Sequence, residues 1–189
     1  MKNSELLQKL ARHNQELLDF TNEMTALPEE LLLARPTEKA WSATECFDHM
    51  NKATELYLDQ VDQKLELLKP EKGDYKKTIF AGVFTKKLAP TEEGAIKSKM
   101  KTLKVFYPKK GVGTEAIDKF RSNLDRFKAV LTQAENKDLR SFKVTTALGP
   151  ILKFYFGDAL DFIHAHNRRH MQQIKNIIMT VESKQQNAA

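Results

Sequence analysis

The sequence predicts an all-α protein, a four-helix bundle in which a long crossover connection joins the second and third helices. Four long segments repeat apolar residues at spacings of three, four and seven, the period of an amphipathic helix. Almost no segment alternates apolar and polar residues as a half-buried strand does. The link between the second and third helices, residues 70–113, can span the length of a bundle, so those helices could run parallel.

The ends of the first two helices are marked by capping residues and prolines. Ser4 is predicted to cap the first helix, which continues to the residue before Pro28. Ser42 is predicted to cap the second helix, and Glu45 three residues later completes a capping box. The apolar period of this second helix continues until Pro70.

The remaining elements follow a less regular stretch. Residues 70–113 carry many of the glycines and prolines, with short helical pieces predicted at 79–88 and 95–104. Thr114 begins the third helix, whose apolar stripe runs to Leu131. The fourth helix is predicted over 151–181, after a connector through Gly149 and Pro150.

The composition is that of a single soluble domain. We expect one domain over 1–182, followed by a polar, frayed tail over 183–189. No apolar run is long enough to span a membrane, and the N-terminus lacks the apolar block of a secretory signal. The single cysteine, Cys46, fits a reducing compartment, so we expect a cytoplasmic location.

The net charge of +6 comes from one region of the chain. Residues 69–110 hold twelve lysines and four acidic residues, a net +8, which leaves −2 for the rest. The lysines are scattered among glycines and prolines, without a helix face of interleaved aromatic residues. This pattern favours a solvated surface over an anion-binding one, and it makes nucleic-acid binding the weakest hypothesis for this segment.

Two of the five histidines share one face of the fourth helix. His166 and His170 are four residues apart, hence about 40° from each other, an arrangement that can supply two metal ligands. His164 lies about 200° from His166 and points to the opposite side. The pair continues the inward stripe of Ile163 and Ile174, where neutral imidazoles need hydrogen-bond partners or a metal.

The two histidines on the first two helices allow more than one interpretation. His49 follows the cap of the second helix by seven residues. It is either a metal ligand or a histidine at the core boundary that bonds to a backbone carbonyl. His13 lies between Leu10 and Leu17 and is interpreted as a boundary histidine.

Three passages of the chain carry a resemblance to a known family. The connector 34–41 reads ARPTEKAW and looks like a proline-containing approach to the second helix. Residues 41–50 read W-S-A-T-E-C-F-D-H-M and resemble the signature W-S-x-x-E-x-x-x-H. Residues 166–174 read H-N-R-R-H-M-Q-Q-I and are similar to H-x-x-x-H-x-x-Q-I. In these motifs, and in the order and lengths of its helices, the chain resembles the DinB-like (YfiT-like) superfamily of metal-dependent enzymes.

The resemblance implies a specific ligand set. One histidine of the second helix and two of the fourth would bind a divalent metal ion, and by position these are His49, His166 and His170. The sequence has Arg169 where many relatives have another histidine, a position that is not a ligand. The lysine-rich segment is a larger departure, so substrate specificity does not carry over.

A metal ion with three imidazole ligands keeps a position open, which is typical of catalytic sites. It could activate water for hydrolysis, or bind a low-molecular-weight thiol for transfer or isomerisation, as some family members do. Imidazole ligation suits zinc, nickel, iron or copper about equally. We therefore expect a metal-dependent hydrolase or thiol S-transferase acting on a small molecule. A non-catalytic metal-binding or stress-related bundle is the alternative, and an exposed apolar helix face could support a homodimer.

The sequence names no general acid or base. Glu45 is either a partner of His49 or only the capping residue. The sequence does not indicate which of Asp48, Asp161 and Asn167, if any, takes part in proton transfer. Gln173 is interpreted as a packing or polar residue at the bundle edge. Trp41 is interpreted as a plug at the start of the second helix, and Cys46 as a small buried hydrophobe.

Overall fold

Six α-helices and one β-hairpin form the part of the chain that the computed structural model describes, namely residues 1–91, 94–96, 101–147 and 149–187. The helices, numbered in chain order, are α1 (Asn3–Thr25), α2 (Glu29–Leu33), α3 (Ala43–Asp62), α4 (Ile79–Leu88), α5 (Glu115–Gln133) and α6 (Phe156–Gln186). Short 3₁₀ turns cover Leu65–Leu67 and Lys104–Phe106. The strands are β1 (Lys143–Thr146) and β2 (Gly149–Tyr155).

The four long helices pack as a bundle, which confirms the predicted all-α fold class. Helices α3 and α1 each pack against both α5 and α6. Side-chain contacts between α3 and α5 follow the same order along both helices: Asn51 with Ala116, Glu55 with Lys119, and Asp59 with Arg126. The two helices are therefore parallel, and the connection between them crosses the length of the bundle.

Two clusters of buried apolar side chains fill the bundle from end to end. One centres on α5 and the hairpin and includes Phe127, Phe154 and Phe156, and the other includes Phe47 and Phe120. All five rings are at most 1% exposed. Burial of each such ring stabilises the fold by about 1.5 to 3 kcal/mol, so the helices that carry the site are held firmly.

The predicted start of the second bundle helix is confirmed by its hydrogen bonds. The N–H of Glu45 donates to Ser42 Oγ at 3.2 Å, and the N–H of Ser42 donates to Glu45 Oε2 at 3.0 Å. The prediction that Ser4 caps the first helix is wrong. That helix begins at Asn3, because the Glu5 carboxylate accepts the N–H of Lys2 and moves the cap two residues earlier.

The predicted start of the fourth helix is also wrong. Residues from Gly149 to Tyr155 form β2, which pairs antiparallel with β1, and helix α6 begins only at Phe156. Val144 and Phe154 face each other in this hairpin and are buried, whereas Ile151 is 97% exposed. Packing of the hairpin on the core therefore outweighs the local helical pattern. At its other end α6 continues to Gln186, beyond the predicted boundary.

The crossover connection contains one of the two predicted helical pieces. Helix α4 occupies the predicted residues 79–88. Of the second piece, residues 97–100 lie outside the described residues, and 95–96 and 101–103 are not helical. Two further boundaries differ: the residues predicted to connect the first two helices, 28–42, contain α2, and α3 ends at Asp62 rather than near Pro70.

None of the helices in the described part of the chain combines the length and the apolar character of a membrane-spanning segment.

Candidate metal centre

Three histidines from two helices meet inside the bundle. His49 on α3 and His166 and His170 on α6 bring their Nε2 atoms together, with 3.1 Å from His49 to each of the other two. The ligand atoms of all three lie within 4.8 Å of one another. His49 and His170 are buried and His166 is half-buried. We refer to these three residues as the triad.

Neighbouring polar contacts hold the two helices in register at the triad. Asn167, which follows His166 on α6, donates its Nδ2–H to Oγ1 of Thr54 at 3.0 Å. Thr54 lies five residues after His49 on α3, so this bond joins the two helices beside the triad. Because His166 and His170 are one helical turn apart, this single alignment brings both of them opposite His49.

The outer nitrogen of every triad ring is engaged with an oxygen atom. His49 Nδ1 lies 2.8 Å from the carbonyl oxygen of Phe106, and His170 Nδ1 lies 2.9 Å from Gln173 Oε1. His166 Nδ1 lies 3.3 Å from Asn167 Oδ1. These oxygens only accept hydrogen bonds, so each Nδ1 carries the proton. Each Nε2 then points an unprotonated lone pair at the other two.

This arrangement fits a divalent cation. Three lone pairs at such short distances repel one another unless a positive charge lies between them. Neutral imidazole nitrogens whose other nitrogen donates to an oxygen are the usual form of histidine metal ligands. Imidazole donors suit zinc, nickel and iron alike, so the donor set specifies a metal class and no single element.

The rings are also in the protonation state that a metal requires. Burial lowers the pKa of His49, and it lowers the pKa of His166 to about 3 with the neighbouring His49 acting in the same direction. Burial, with His166 and His49 beside it, also lowers the pKa of His170 well below its usual value. All three rings are therefore neutral near pH 7.

A cavity of about 420 Å³ borders all three triad rings. Its walls are mainly apolar and aromatic: Trp41, Tyr57, Phe84, Phe106 and Phe162 are among the lining residues. The size and character are those of small-molecule binding sites, which occupy about 300 to 1,000 Å³. Phe84 and Phe106 belong to the crossover connection, so this lysine-rich segment forms part of the wall.

The structure decides between the roles that the sequence allowed for Trp41, Glu45 and Cys46, which lie near His49 in the sequence. Trp41 does precede α3, but it also lines the cavity, with its ring centroid 5.1 Å from that of His49. Glu45 belongs to the capping box and also pairs with Arg35, so it is not the partner of His49. Cys46 is fully buried among apolar residues, and burial raises the pKa of its thiol, in agreement with a packing role.

The three polar residues that the sequence left open, together with Gln173, divide into two groups. Asp48 pairs with Lys52, and Asp161 pairs with Lys9 and Lys77, so both carboxylates are engaged elsewhere. Asn167 and Gln173 instead accept hydrogen bonds from triad rings. Of the two roles predicted for Gln173, packing or a polar contact, the structure has the polar contact; its i+3 position relative to His170 was the signal for which ring it bonds.

The carbonyl oxygen of Phe106 is the partner that sequence reasoning could not name. It belongs to the backbone of a residue 57 positions from His49. Every residue carries such a carbonyl, so no side-chain pattern marks it.

The remaining two histidines meet on another face of α6. His164 is 1% exposed, its ring centroid lies 4.0 Å from that of Phe127, and the His13 ring stacks on it at 6.4 Å. Neither ring nitrogen of His164 forms a hydrogen bond of normal geometry among the described residues, and the Leu160 backbone one helical turn earlier is the polar group that acts on the ring. We refer to His13 and His164 as the packed pair. His164 therefore lies away from the triad, as the helical rotation predicts.

Comparison with known proteins agrees with this architecture. A sequence model of the DinB superfamily matches residues 6–174, a span that includes all three triad histidines. No curated protein and no solved structure matches the chain. The match covers most of the sequence and confirms the resemblance seen in its motifs. The chain belongs to the DinB superfamily.

Proposed function

We propose that the chain is a metal-dependent enzyme that acts on a small molecule, with a divalent ion held by His49, His166 and His170. The observation that carries this proposal is the tautomeric arrangement of the triad. All three Nδ1 atoms are engaged with oxygen acceptors, so all three Nε2 lone pairs converge. When bound, such an ion supplies Lewis-acid chemistry and lowers the pKa of water or of a thiol.

The cavity favours an enzyme over a non-catalytic metal-binding bundle. A bundle that keeps its histidines only for stability would have a filled core beside them. Here about 420 Å³ lies open beside the triad, enough for a small molecule. Trp41 and Phe106 line this space and exclude water from around a bound substrate.

The residues around the triad bind and orient rather than exchange protons. The Phe106 carbonyl, Asn167 and Gln173 hold the three rings in their tautomers. The cavity wall has no Asp or Glu among its described residues, so that part of the wall supplies no carboxylate base. Hydrolysis and transfer to a low-molecular-weight thiol are the two reactions that such a site supports.

Elemental analysis tests the proposal. The wild-type chain, chelated and then reloaded with zinc, nickel or iron, is expected to hold about one ion per chain. His49→Ala and His170→Ala each remove one of three ligands and are expected to hold almost none after the same treatment. His13→Ala removes a histidine outside the triad and is the matched control.

Activity assays then separate the two reactions. The loaded protein is screened for hydrolysis of ester and amide substrates, and for transfer to thiols of low molecular weight. Activity in either screen, lost on chelation and in His170→Ala, supports the enzyme. A wild-type chain that holds none of the three metals would overturn the proposal.

A further inference from the structure

Helix α4 is apolar on two sides, and packing against α6 covers only one of them. On the inner side Ala81 and Leu88 are buried, and Phe84 and Leu88 line the cavity beside the triad. On the other side Ile79 is 87% exposed and Val83 is 60% exposed. Residues four positions apart lie about 40° from each other around a helix, so Ile79 and Val83 form one exposed stripe.

Phe80 widens this stripe to a face of three large apolar side chains. It is 49% exposed, and its ring centroid lies 4.7 Å from that of Phe84. We refer to Ile79, Phe80 and Val83 as the outer face of α4. Residues 79–84 read IFAGVF and carry no charge, and a helix that is apolar all round is normally buried on all sides. The outer face therefore suits a partner that removes it from water.

Exposed lysines lie next to the outer face. Lys76 precedes α4, and Lys86 and Lys87 occupy its last turn. Lys87 follows Val83 by four residues, so it continues the apolar stripe. None of the three lysines forms an ion pair within the described part of the chain. The surrounding segment, 69–110, holds twelve lysines and four acidic residues, a net +8, so this surface is both apolar and positive.

The positive charge decides which kind of partner the outer face fits. In a twofold dimer the same patch of each copy meets itself, so the lysines of two copies would approach and repel each other. Three apolar side chains are also far fewer than the roughly 20 to 30 residues that each side of a stable protein interface contributes. An anionic lipid surface matches both properties, because its acyl chains accept apolar side chains and its head groups attract lysines.

We infer that the outer face of α4 binds the surface of anionic lipid bilayers. The apolar side chains of the outer face enter the boundary between head groups and acyl chains, and the three lysines contact the head groups. A helix of ten residues is too short to cross the hydrocarbon core, which takes about 20 residues, so α4 lies along the interface. This inference goes beyond the proposed function and does not depend on the metal.

Sedimentation with lipid vesicles tests the inference. The full-length chain is mixed with vesicles of phosphatidylcholine alone, or of phosphatidylcholine containing about one third phosphatidylserine, and the bound fraction is measured. The chain is expected to bind the anionic vesicles at least about tenfold more tightly than the neutral ones, since each lysine near the surface adds attraction. Added salt should weaken this binding, because it screens exposed charges.

A double substitution in the outer face measures its apolar contribution. Ile79→Ser combined with Val83→Ser is expected to reduce the affinity for anionic vesicles at least about tenfold, because two of the three inserting side chains are lost. Met179→Ser is the matched control, since Met179 is an apolar residue of α6 that is 56% exposed. Should the double variant fail to fold, Val83→Ser alone tests the same point, with an expected loss of about fivefold.

A second double substitution measures the contribution of charge. Lys86→Gln combined with Lys87→Gln is expected to reduce the affinity for anionic vesicles about tenfold and to leave the weak affinity for neutral vesicles unchanged. Lys128→Gln is the control, because Lys128 is an exposed lysine on α5, outside the segment 69–110.

The outcomes separate a lipid surface from other partners. No binding to anionic vesicles, or equal binding by the wild type and the Ile79→Ser, Val83→Ser variant, would overturn the inference. A dimer detected by light scattering that this variant converts to monomers, without vesicle binding, would overturn it too and assign the outer face to a second copy. Vesicle binding that falls in both double variants and persists in both controls supports it, whatever the metal analysis shows.

Discussion

The triad and the packed pair are two histidine clusters on the same helix with opposite surroundings. In the triad, every Nδ1 is engaged with an oxygen and every Nε2 faces a shared point beside an open cavity. In the packed pair, His164 lies against Phe127 without a hydrogen bond of normal geometry among the described residues, and His13 stacks on it. His164 and His166 are two residues apart, yet only one of them belongs to a candidate metal centre.

The difference shows that burial alone does not identify a functional histidine. Burial lowers the pKa of His164 and of His166 alike, each to about 3. What separates them is the hydrogen bond at the outer nitrogen, which fixes the tautomer and directs the other lone pair. Substitutions that change this property in one cluster should therefore have different effects from those in the other.

The largest effect is expected from the acid sensitivity of the packed pair. Burial lowers the pKa of His13 to about 4, against 6.5 in the unfolded chain. Between these values the unfolded chain binds a proton that the folded chain does not, so stability falls as the pH drops from 6.5 toward 4. The charged and titratable groups around His13 are Lys9, Arg12, Asp161, His164 and Arg168.

His13→Gln removes this titration. Between pH 7 and pH 4.5, its free energy of unfolding is expected to fall by about 1 to 2 kcal/mol less than that of the wild type, an amount reduced by solvent screening because His13 is only half-buried. Urea denaturation at several pH values measures the difference, and the two proteins should show parallel pH dependence above pH 7. Parallel curves throughout the acid range would contradict the prediction.

A smaller effect is expected from the partner of one triad ring. Gln173→Met removes the acceptor that holds the His170 tautomer, so we expect about a tenfold loss of metal affinity without loss of the site. Competition with a chromogenic chelator measures the affinity. Gln172→Met is the control, since Gln172 bonds to Asn176 and touches no triad ring through a described hydrogen bond. Equal affinities in the two variants would show that Gln173 does not orient His170.

The smallest effect concerns the buried His164 ring of the packed pair. His164→Leu replaces two buried nitrogens that lack a well-formed hydrogen bond by an apolar side chain of similar size, so the free energy of unfolding should rise by about 1 kcal/mol near pH 7. Chemical denaturation provides the measurement, and metal content should stay at the wild-type level. A loss of stability would indicate that the His164 nitrogens bond to ordered water.

Much of the helical framework could be predicted because its signals are local. The reciprocal bonds of Ser42 and Glu45 span three residues, and helix α4 occupies the predicted residues 79–88. The hairpin was missed because β1 and β2 are short and their stability comes from Val144 and Phe154 packing on the core. Such packing depends on residues far away in the sequence, which no local pattern contains.

In the candidate metal centre, too, the features set by local spacing could be predicted and those set by long-range contacts could not. The i, i+4 spacing of His166 and His170 places both on one helix face, and the helical rotation removes His164 from it. His49 joined them through the family motif rather than through its spacing. The orienting carbonyl of Phe106 and the cavity wall around Trp41 could not be predicted, since both depend on how the crossover connection folds over α3.

By itself, therefore, the sequence determined the presence and order of the four long helices, the capped start of α3 and the shared face of two histidines. These features depend on residues a few positions apart, where the helical period fixes their relative directions. Only the tertiary structure decided the tautomers of the triad, the cavity beside it and the separation of the packed pair. Those features arise where segments distant in the sequence meet. The hydrogen-bond partners of the histidine nitrogens and the residues that line the cavity come from different segments, and the helical period of any one segment does not place them together.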